Sequence, residues 1–343
     1  MALFPCLDGL PMSHRVLIPH DMEAPPVLPA GVTAHRLSGA AMGTSWSVQA
    51  LAPQGVARDT LAALVQAKLD RVIREMSTWK ADSGISRFNR AEAGSWHSLP
   101  DAFYTVLDAA LSMAADSGGA FDPTLGPLVD LWGFGPEGRH DRLPDAVMLD
   151  AARARCGWQR IGLDRARRSA RQPGAIRLDF SGIAKGYAVD LVAQALRDAG
   201  CVSWLVEIGG ELSGLGVKSD GQPWWVALER PPGDDGQGML VALHGLAIAT
   251  SGDYRRYFDH DGRRYAHTID PRSGRPVTHD LASVTVLHRQ CMVADALATV
   301  LTVLGVDEGM VFARERNIAA LFISGGASGY RESMTPALAG MLE

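Results

Sequence analysis

Cysteine is scarce: Cys6, Cys156, Cys201 and Cys291 are the only four in 343 residues. They stand far apart and form no CxxC pair or Cys/His cluster, which argues against a disulfide framework or a structural zinc site. Excess charge is lacking too. A net charge of −5 and a pI near 6.1 give no long-range attraction to nucleic acid or an anionic membrane surface. No apolar run reaches the length of a bilayer span, so no transmembrane segment is expected. Met1 to Cys6 ends like a lipoprotein signal, but the basic and long apolar regions that would precede such a cysteine are missing. As written, the chain has no export signal and is expected in the cytoplasm; a different start would allow a periplasmic form or one lipid-anchored at the inner membrane. Internal repeats and low-complexity tracts are also absent.

What is present is an ordinary globular composition, 47% hydrophobic and 21% charged, with enough core for one large domain or two closely packed ones. The Pro-rich stretch 11–29 reads as a flexible arm, with Met12 an alternative first residue. Residues 1–34 are therefore set apart as an N-terminal arm and 35–343 as the folded unit. Apolar spacing predicts helices over 61–76, 103–115, 146–156, 183–198, 292–304 and 310–313. Strands are predicted at 46–48, over 158–161 paired with 175–180, over 204–217 interrupted at Gly209-Gly210, and over 224–228, 239–243, 246–250, 282–286 and 319–324. Residues 120–135 read as a structured loop with short helical turns, and 136–142 as an exposed insertion. Strands and helices come in groups, which favours an α+β fold with a mixed or antiparallel sheet.

The chain's centre of interest is Leu178 to Asp190. Ile176, Leu178 and Phe180 alternate with polar neighbours, and the pattern turns helical after Ser181-Gly182, with Ile183, Tyr187 and Leu191 at four-residue returns. A helix start of this kind offers unpaired N–H groups and a positive dipole end, which suit an anion. Asp179 and Lys185 flank it. Taken alone, the same residues also suit an ordinary corner in which Ser181 is the N-cap and Lys185 a solvated charge.

Three further stretches carry chemistry. One is Thr250 to Phe258, where a strand enters and aromatic and basic residues, Arg255 and Arg256 among them, leave. Asp295 and Thr299 share one helix face, and a carboxylate and a hydroxyl one turn apart suit a hard cation such as magnesium. A buried Asp capping a neighbouring loop is the other reading of Asp295, and both stay open. His267 and Asp270 stand among turn residues at Asp270-Pro271 and Ser273-Gly274, which groups a base and an acid at a strand end.

Eight stretches in order then carry a resemblance. They are Met42-Gly43-Thr44; Met76-Ser77-Thr78-Trp79 with Ser83 and Phe88-Asn89; Phe121 to Leu128; Asp179 to Tyr187; Ile208-Gly209-Gly210; Thr250 to Tyr254; His267 to Pro271 with Gly274-Arg275-Pro276; and Ala294 to Thr299. Together, over roughly residue 35 to the C-terminus, they resemble the ApbE family of FAD:protein FMN transferases. The resemblance implies a T-fold-like α+β architecture of mixed or antiparallel sheets packed with helices. It implies Mg²⁺ as cofactor and FAD as substrate. The implied reaction is protein flavinylation, in which FMN passes to a Thr or Ser of an acceptor protein as a phosphoester and AMP is released. Magnesium ligands are implied at Gly182, through its backbone carbonyl, with Asp295 and Thr299. FAD contacts are implied at Met42, Ala120, Phe121, Asp122, Asp179, Lys185 and Ile269. His267 matches the histidine needed for transfer, and Asp270 is the next candidate base.

The chemistry fits these assignments. Splitting a pyrophosphate needs its developing charge neutralised, a task for a metal and Lys185, and a hydroxyl nucleophile needs a base. Where the family often has a side chain at the Gly182 position this chain has none, but a carbonyl ligand does not need one. The acceptor is expected to be a separate protein, because the family's Asp-Gly-x-Ser/Thr-Gly-Ala-Ser/Thr signal is missing here; Asp116 to Phe121 is only a partial likeness. Two rival functions stand beside transfer. One is a metal-dependent FAD pyrophosphatase giving free FMN and AMP, and the other a non-catalytic flavin-binding protein.

Overall fold

The computed structural model describes residues 14–19, 27–138, 142–326 and 329–343. Its frame is an eight-stranded sheet of β1 (Val32–Ala41), β2 (Thr44–Pro53), β3 (Ser203–Ile208), β4 (Glu211–Leu215), β5 (Leu246–Gly252), β6 (Leu281–His288), β7 (Ala319–Gly326) and β8 (Gly329–Met334). Side by side, these strands follow chain order, and every neighbouring pair is antiparallel. Two-residue turns join β1 to β2 and β3 to β4. Their central residues take positive φ, 53° and 75° at Met42 and Gly43, 61° and 97° at Gly209 and Gly210, as such hairpins require. The stretch 204–217 is therefore not one interrupted strand but two strands of a hairpin.

Among the described residues, seven α-helices fill the long connections and an eighth follows β8: α1 (Arg58–Met76), α2 (Gly84–Asn89), α3 (Asp101–Asp116), α4 (Gly126–Leu131), α5 (Ala146–Arg153), α6 (Ala184–Asp198), α7 (Cys291–Glu315) and α8 (Pro336–Ala339). Alternation along each strand divides the core in two. Ala247, Ala249, Ala320 and Phe322 point to the layer of α1, α6 and α7, while Ile248, Leu321 and Ile323 point to the other side. On α1 the buried stripe is Leu61, Val65, Leu69, Val72 and Met76, the spacing of one helical face.

The second apolar layer is closed by a three-stranded sheet of Arg15–Leu17, Met239–Ala242 and Trp225–Ala227. Arg15–Leu17 runs parallel to Met239–Val241, and Leu17 is fully buried among Trp224, Val241 and Leu321. The arm expected to be flexible over 1–34 is thus tied to the fold at Leu17, because burying that side chain completes an apolar layer. The sheet itself begins at Val32, not at 35. Cys6, Met12 and the rest of the Pro-rich stretch up to 13, with 20–26, lie outside the described residues, as do 139–141 of the expected insertion.

Two sequence expectations are corrected here. Trp158–Arg160 forms a 3₁₀ turn, and residues 176–180 are extended without joining a sheet. Asn89 takes the place of a neighbouring strand: its Oδ1 accepts from the Leu178 N–H at 2.7 Å and its Nδ2 donates to the Leu178 carbonyl at 2.9 Å. Ile176, Leu178 and Phe180 are buried all the same, which is why the alternation imitates a strand. Further on, the predicted helices 292–304 and 310–313 merge in α7 across a break at Gly305, where φ is 73°. The merged helix is long and apolar enough to cross a membrane, which the separate segments were not. Its apolar residues are used inside the fold, with Ala298, Leu301 and Ala313 packed against Val284, Val286 and Phe322.

Candidate active site

The beginnings of α6 and α7 meet, and each is capped by the other. Asp190 of α6 accepts from the first two N–H groups of α7, Cys291 and Met292, both at 2.9 Å. Asp295 of α7 returns the service, accepting from the Gly186 N–H of α6 at 2.9 Å. Free N–H groups at both helix starts are thereby satisfied by carboxylates from outside the helix. Burial pushes both carboxyls above their ordinary range, and the donated hydrogen bonds, with Lys185 beside Asp295, oppose it. Only glycine fits at 186: a Cβ there would stand 2.3 Å from the Cys291 carbonyl oxygen and 2.8 Å from Asp295 Cβ.

This contact decides what Gly182 can do. An N–H at Gly186 would ordinarily turn back to the Gly182 carbonyl; given instead to Asp295, it leaves that carbonyl with no backbone hydrogen bond among the described residues. Gly182 also lies against Thr299, since a Cβ on it would be 2.8 Å from Thr299 Oγ1 and 3.4 Å from the Phe121 ring. Thr299 Oγ1 donates to the Asp295 carbonyl at 3.3 Å, so its lone pairs remain available. A carbonyl, a carboxylate and a hydroxyl thus gather at one spot, an all-oxygen set suited to a hard cation.

A cleft of about 160 Å³ opens over this spot. Lys185, in the first turn of α6, reaches across its floor to the buried Glu211 of β4. Burial would lower the Lys185 ammonium, but Glu211 and Asp295 together hold it above its ordinary value. Burial pushes Glu211 up to about 7 against the pull of Lys185. On the opposite wall stands His267. The Arg256 carbonyl accepts from its Nδ1 at 3.0 Å, so the ring carries its proton there and leaves Nε2 as an acceptor. Burial, aided by the positive charges of Arg256, Lys185 and Arg255, holds His267 down to about 4, although the carbonyl bond works the other way. Phe134 meets the imidazole edge-on at 6.3 Å, and its carbonyl accepts from the Arg256 guanidinium. Ring and anchor are therefore held by one short network.

Comparison with known proteins gives this arrangement its relatives. The model of the ApbE family matches residues 42–322. The FAD:protein FMN transferase of Vibrio cholerae serotype O1 is 41% identical over 298 residues, 86% of this chain and 89% of the relative. That of Klebsiella pneumoniae is 37% identical over 320 residues, 92% and 91% of the two chains. Among solved structures, the apo form of Pseudomonas stutzeri flavinyl transferase ApbE superposes with a TM-score of 0.84 at 42% identity, covering 90% of this chain and 97% of that one. The flavin transferase ApbE from Vibrio cholerae gives 0.83 at 38%, with 91% and 100% covered. The chain belongs to the ApbE family.

Most residues singled out by likeness to ApbE proteins come together in the cleft. Ala120, Phe121, Asp122, Asp179, Lys185 and Ile269 line it, as do His267, Gly182, Asp295 and Thr299. Asp122 is turned partly to structure: its Oδ1 accepts from the Thr124 N–H and hydroxyl at 2.8 and 2.6 Å, and burial raises its carboxyl. Asp179 Oδ1 accepts from the Ser181 N–H at 2.8 Å. Ser181 itself is no N-cap, because the helix begins after Ile183, with no side-chain cap of its own.

Two residues stand elsewhere. Met42 sits in the β1–β2 turn against the core and is not on the cleft wall. Asp270, the second candidate base, is not among the residues lining the cleft and accepts from the Arg272 N–H at 2.9 Å and from its guanidinium at 3.0 Å. Sequence reasoning singled out the stretch that holds Arg255 without giving that residue a role, and passed over Glu211; both are in the cleft. Arg255 is paired with Glu229 and donates to the Gly209 carbonyl at 2.9 Å. A signal for Glu211 existed: a lone acid between Gly209-Gly210 and an apolar strand.

Proposed function

We propose that this chain transfers FMN from FAD to a Thr or Ser hydroxyl of a separate acceptor protein, with release of AMP and with magnesium as the assisting ion. The reading is carried by one observation: the oxygen donors, an ammonium and an unprotonated imidazole nitrogen share a single cleft. The names borne by the relatives support it. Charge supports the need for a cation. Asp122, Asp179, Glu211 and Asp295 line the cleft against Lys185 and Arg255, so a pyrophosphate would meet more negative charge than positive unless a divalent ion entered with it.

Gly182, Asp295 and Thr299 would hold the magnesium, which supplies neutralisation of charge on the phosphate oxygens. Lys185 binds and orients the same group. His267 Nε2 takes the proton of the acceptor hydroxyl as its oxygen bonds to the FMN phosphorus, and the bond from that phosphorus to AMP breaks.

Intact-mass measurement of an acceptor incubated with the protein, FAD and Mg²⁺ tests the proposal. The acceptor should gain one FMN while AMP appears. Asp295→Asn should abolish labelling, and it is preferable to Asp295→Ala because the amide oxygen can still accept from Gly186. FMN and AMP accumulating beside an unchanged acceptor would make the protein a pyrophosphatase; bound FAD without turnover would make it a flavin binder.

A further inference from the structure

Of the four carboxylates lining the cleft, Glu211 is the one that accepts from no backbone N–H among the described residues. It is 1% exposed, and it follows the Gly209-Gly210 turn at the start of β4. One oxygen, Oε1, receives the Lys185 ammonium. The other, Oε2, is buried without a hydrogen-bond partner among the described residues. A buried carboxylate is costly, and here Lys185 is its one hydrogen-bonded partner among the described residues, with the charge of Arg255 a lesser help. By contrast, Asp179 is held by Ser181, Asp122 by Thr124, and Asp295 by Gly186.

Lys185 needs such a partner. Its side chain is long and flexible, and burial works against its charge. The titratable and charged groups around it are Glu211 from β4, Glu207 from β3, Asp295 and the Cys291 thiol from α7, Arg255 after β5, and His267. Arg255 is itself paired with Glu229, Glu207 accepts from the Gly210 N–H, and Asp295 is shared between the α6 cap and the proposed cation site. We infer that Glu211 is a positioning residue: it fixes the Lys185 ammonium at the cleft floor and keeps it charged when the pyrophosphate arrives. This inference rests on the reading of Lys185 as the pyrophosphate clamp.

Glu211→Gln keeps the shape and an acceptor oxygen but removes the charge. With Glu211 gone, burial of Lys185 is less opposed, and the ammonium should lose its proton at lower pH. FAD affinity, measured by quenching of flavin fluorescence in the presence of magnesium, should then fall at least tenfold between pH 7.5 and 9.5, whereas the parent protein stays flat. Glu211→Asp, which restores charge one methylene short, should recover the flat profile and still show a reduced turnover number. In a Lys185→Met background, Glu211→Gln should have no further effect on affinity. A parent-like profile in Glu211→Gln, or an effect that persists without Lys185, overturns the inference. Lys185→Met binding FAD as tightly as the parent would instead sink the clamp itself. Should Glu211→Gln fail to fold, the comparison of Glu211→Asp with the parent carries the test, and a pH profile that declines as the ammonium titrates despite the retained charge refutes it.

Discussion

In the reaction proposed above, His267 would serve as a base while titrating well below its ordinary range. Held to about 4 rather than 6.5, it remains unprotonated in the free protein through weakly acidic pH. The pH profile of kcat/KM for FAD, which reports the free enzyme, should therefore show no acid limb near 6.5 caused by this residue. Its acid limb should lie near pH 4, and His267→Ala should lower transfer by roughly 10²–10⁴-fold with FAD affinity nearly unchanged. A limb at 6.5 that vanishes in His267→Ala would contradict the buried environment. The stability sign follows from the same shift. Between about 4 and 6.5 the unfolded chain binds the extra proton and the folded one does not, so this residue makes stability fall as pH falls through that window. Grouping with turn residues made His267 legible in the sequence. Glu211 was less so, because its task depends on Lys185, which is brought to it by the pairing of β3 with β4 and the packing of α6.

Helices were easier to read than strands. The stripe on α1 and the spacing of α6 declare a buried face over several turns. The extended stretch around Leu178 carries the alternation of a strand, yet its hydrogen bonds go to the Asn89 side chain, 89 residues away, and to the backbone of Pro123 and Gly126, and no local pattern reports that. Gly186 is the sharper case: within α6 it looks like a weak helix former, but its missing Cβ is what lets the start of α7 approach. Gly186→Ala should accordingly destabilise the protein by roughly 1–3 kcal/mol, as overpacking against backbone does. Urea unfolding would measure this, together with a loss of FAD binding as Asp295 and Gly182 are pushed apart. A variant as stable as the parent would mean that the two helices separate without cost.

At the scale of the whole molecule, sequence grouping was enough to indicate α+β with a mixed or antiparallel sheet, whereas the Gly209-Gly210 hairpin was hidden inside what reads as a single interrupted strand. The attachment of Arg15–Leu17 was hidden, because three residues among prolines carry no periodic signal and their partner strand lies more than 200 residues on. Leu17→Ala should cost roughly 2–5 kcal/mol in urea unfolding while leaving FAD affinity unchanged, since none of Leu17, Trp224, Val241 and Leu321 lines the cleft. A negligible change would show that the strand is dispensable.

The exchange of caps between α6 and α7 also bears on how the chain comes to be folded. Its three bonds join residues 101, 102 and 109 positions apart, so neither helix can complete its first turn locally, and both must wait for the sheet to bring them together. The Gly182 carbonyl is left open only by that meeting. On the function proposed above, a growing chain that has not yet reached Asp295 would have no half-made site with which to capture a cation or a nucleotide, and ligand binding would begin only when the fold is closed.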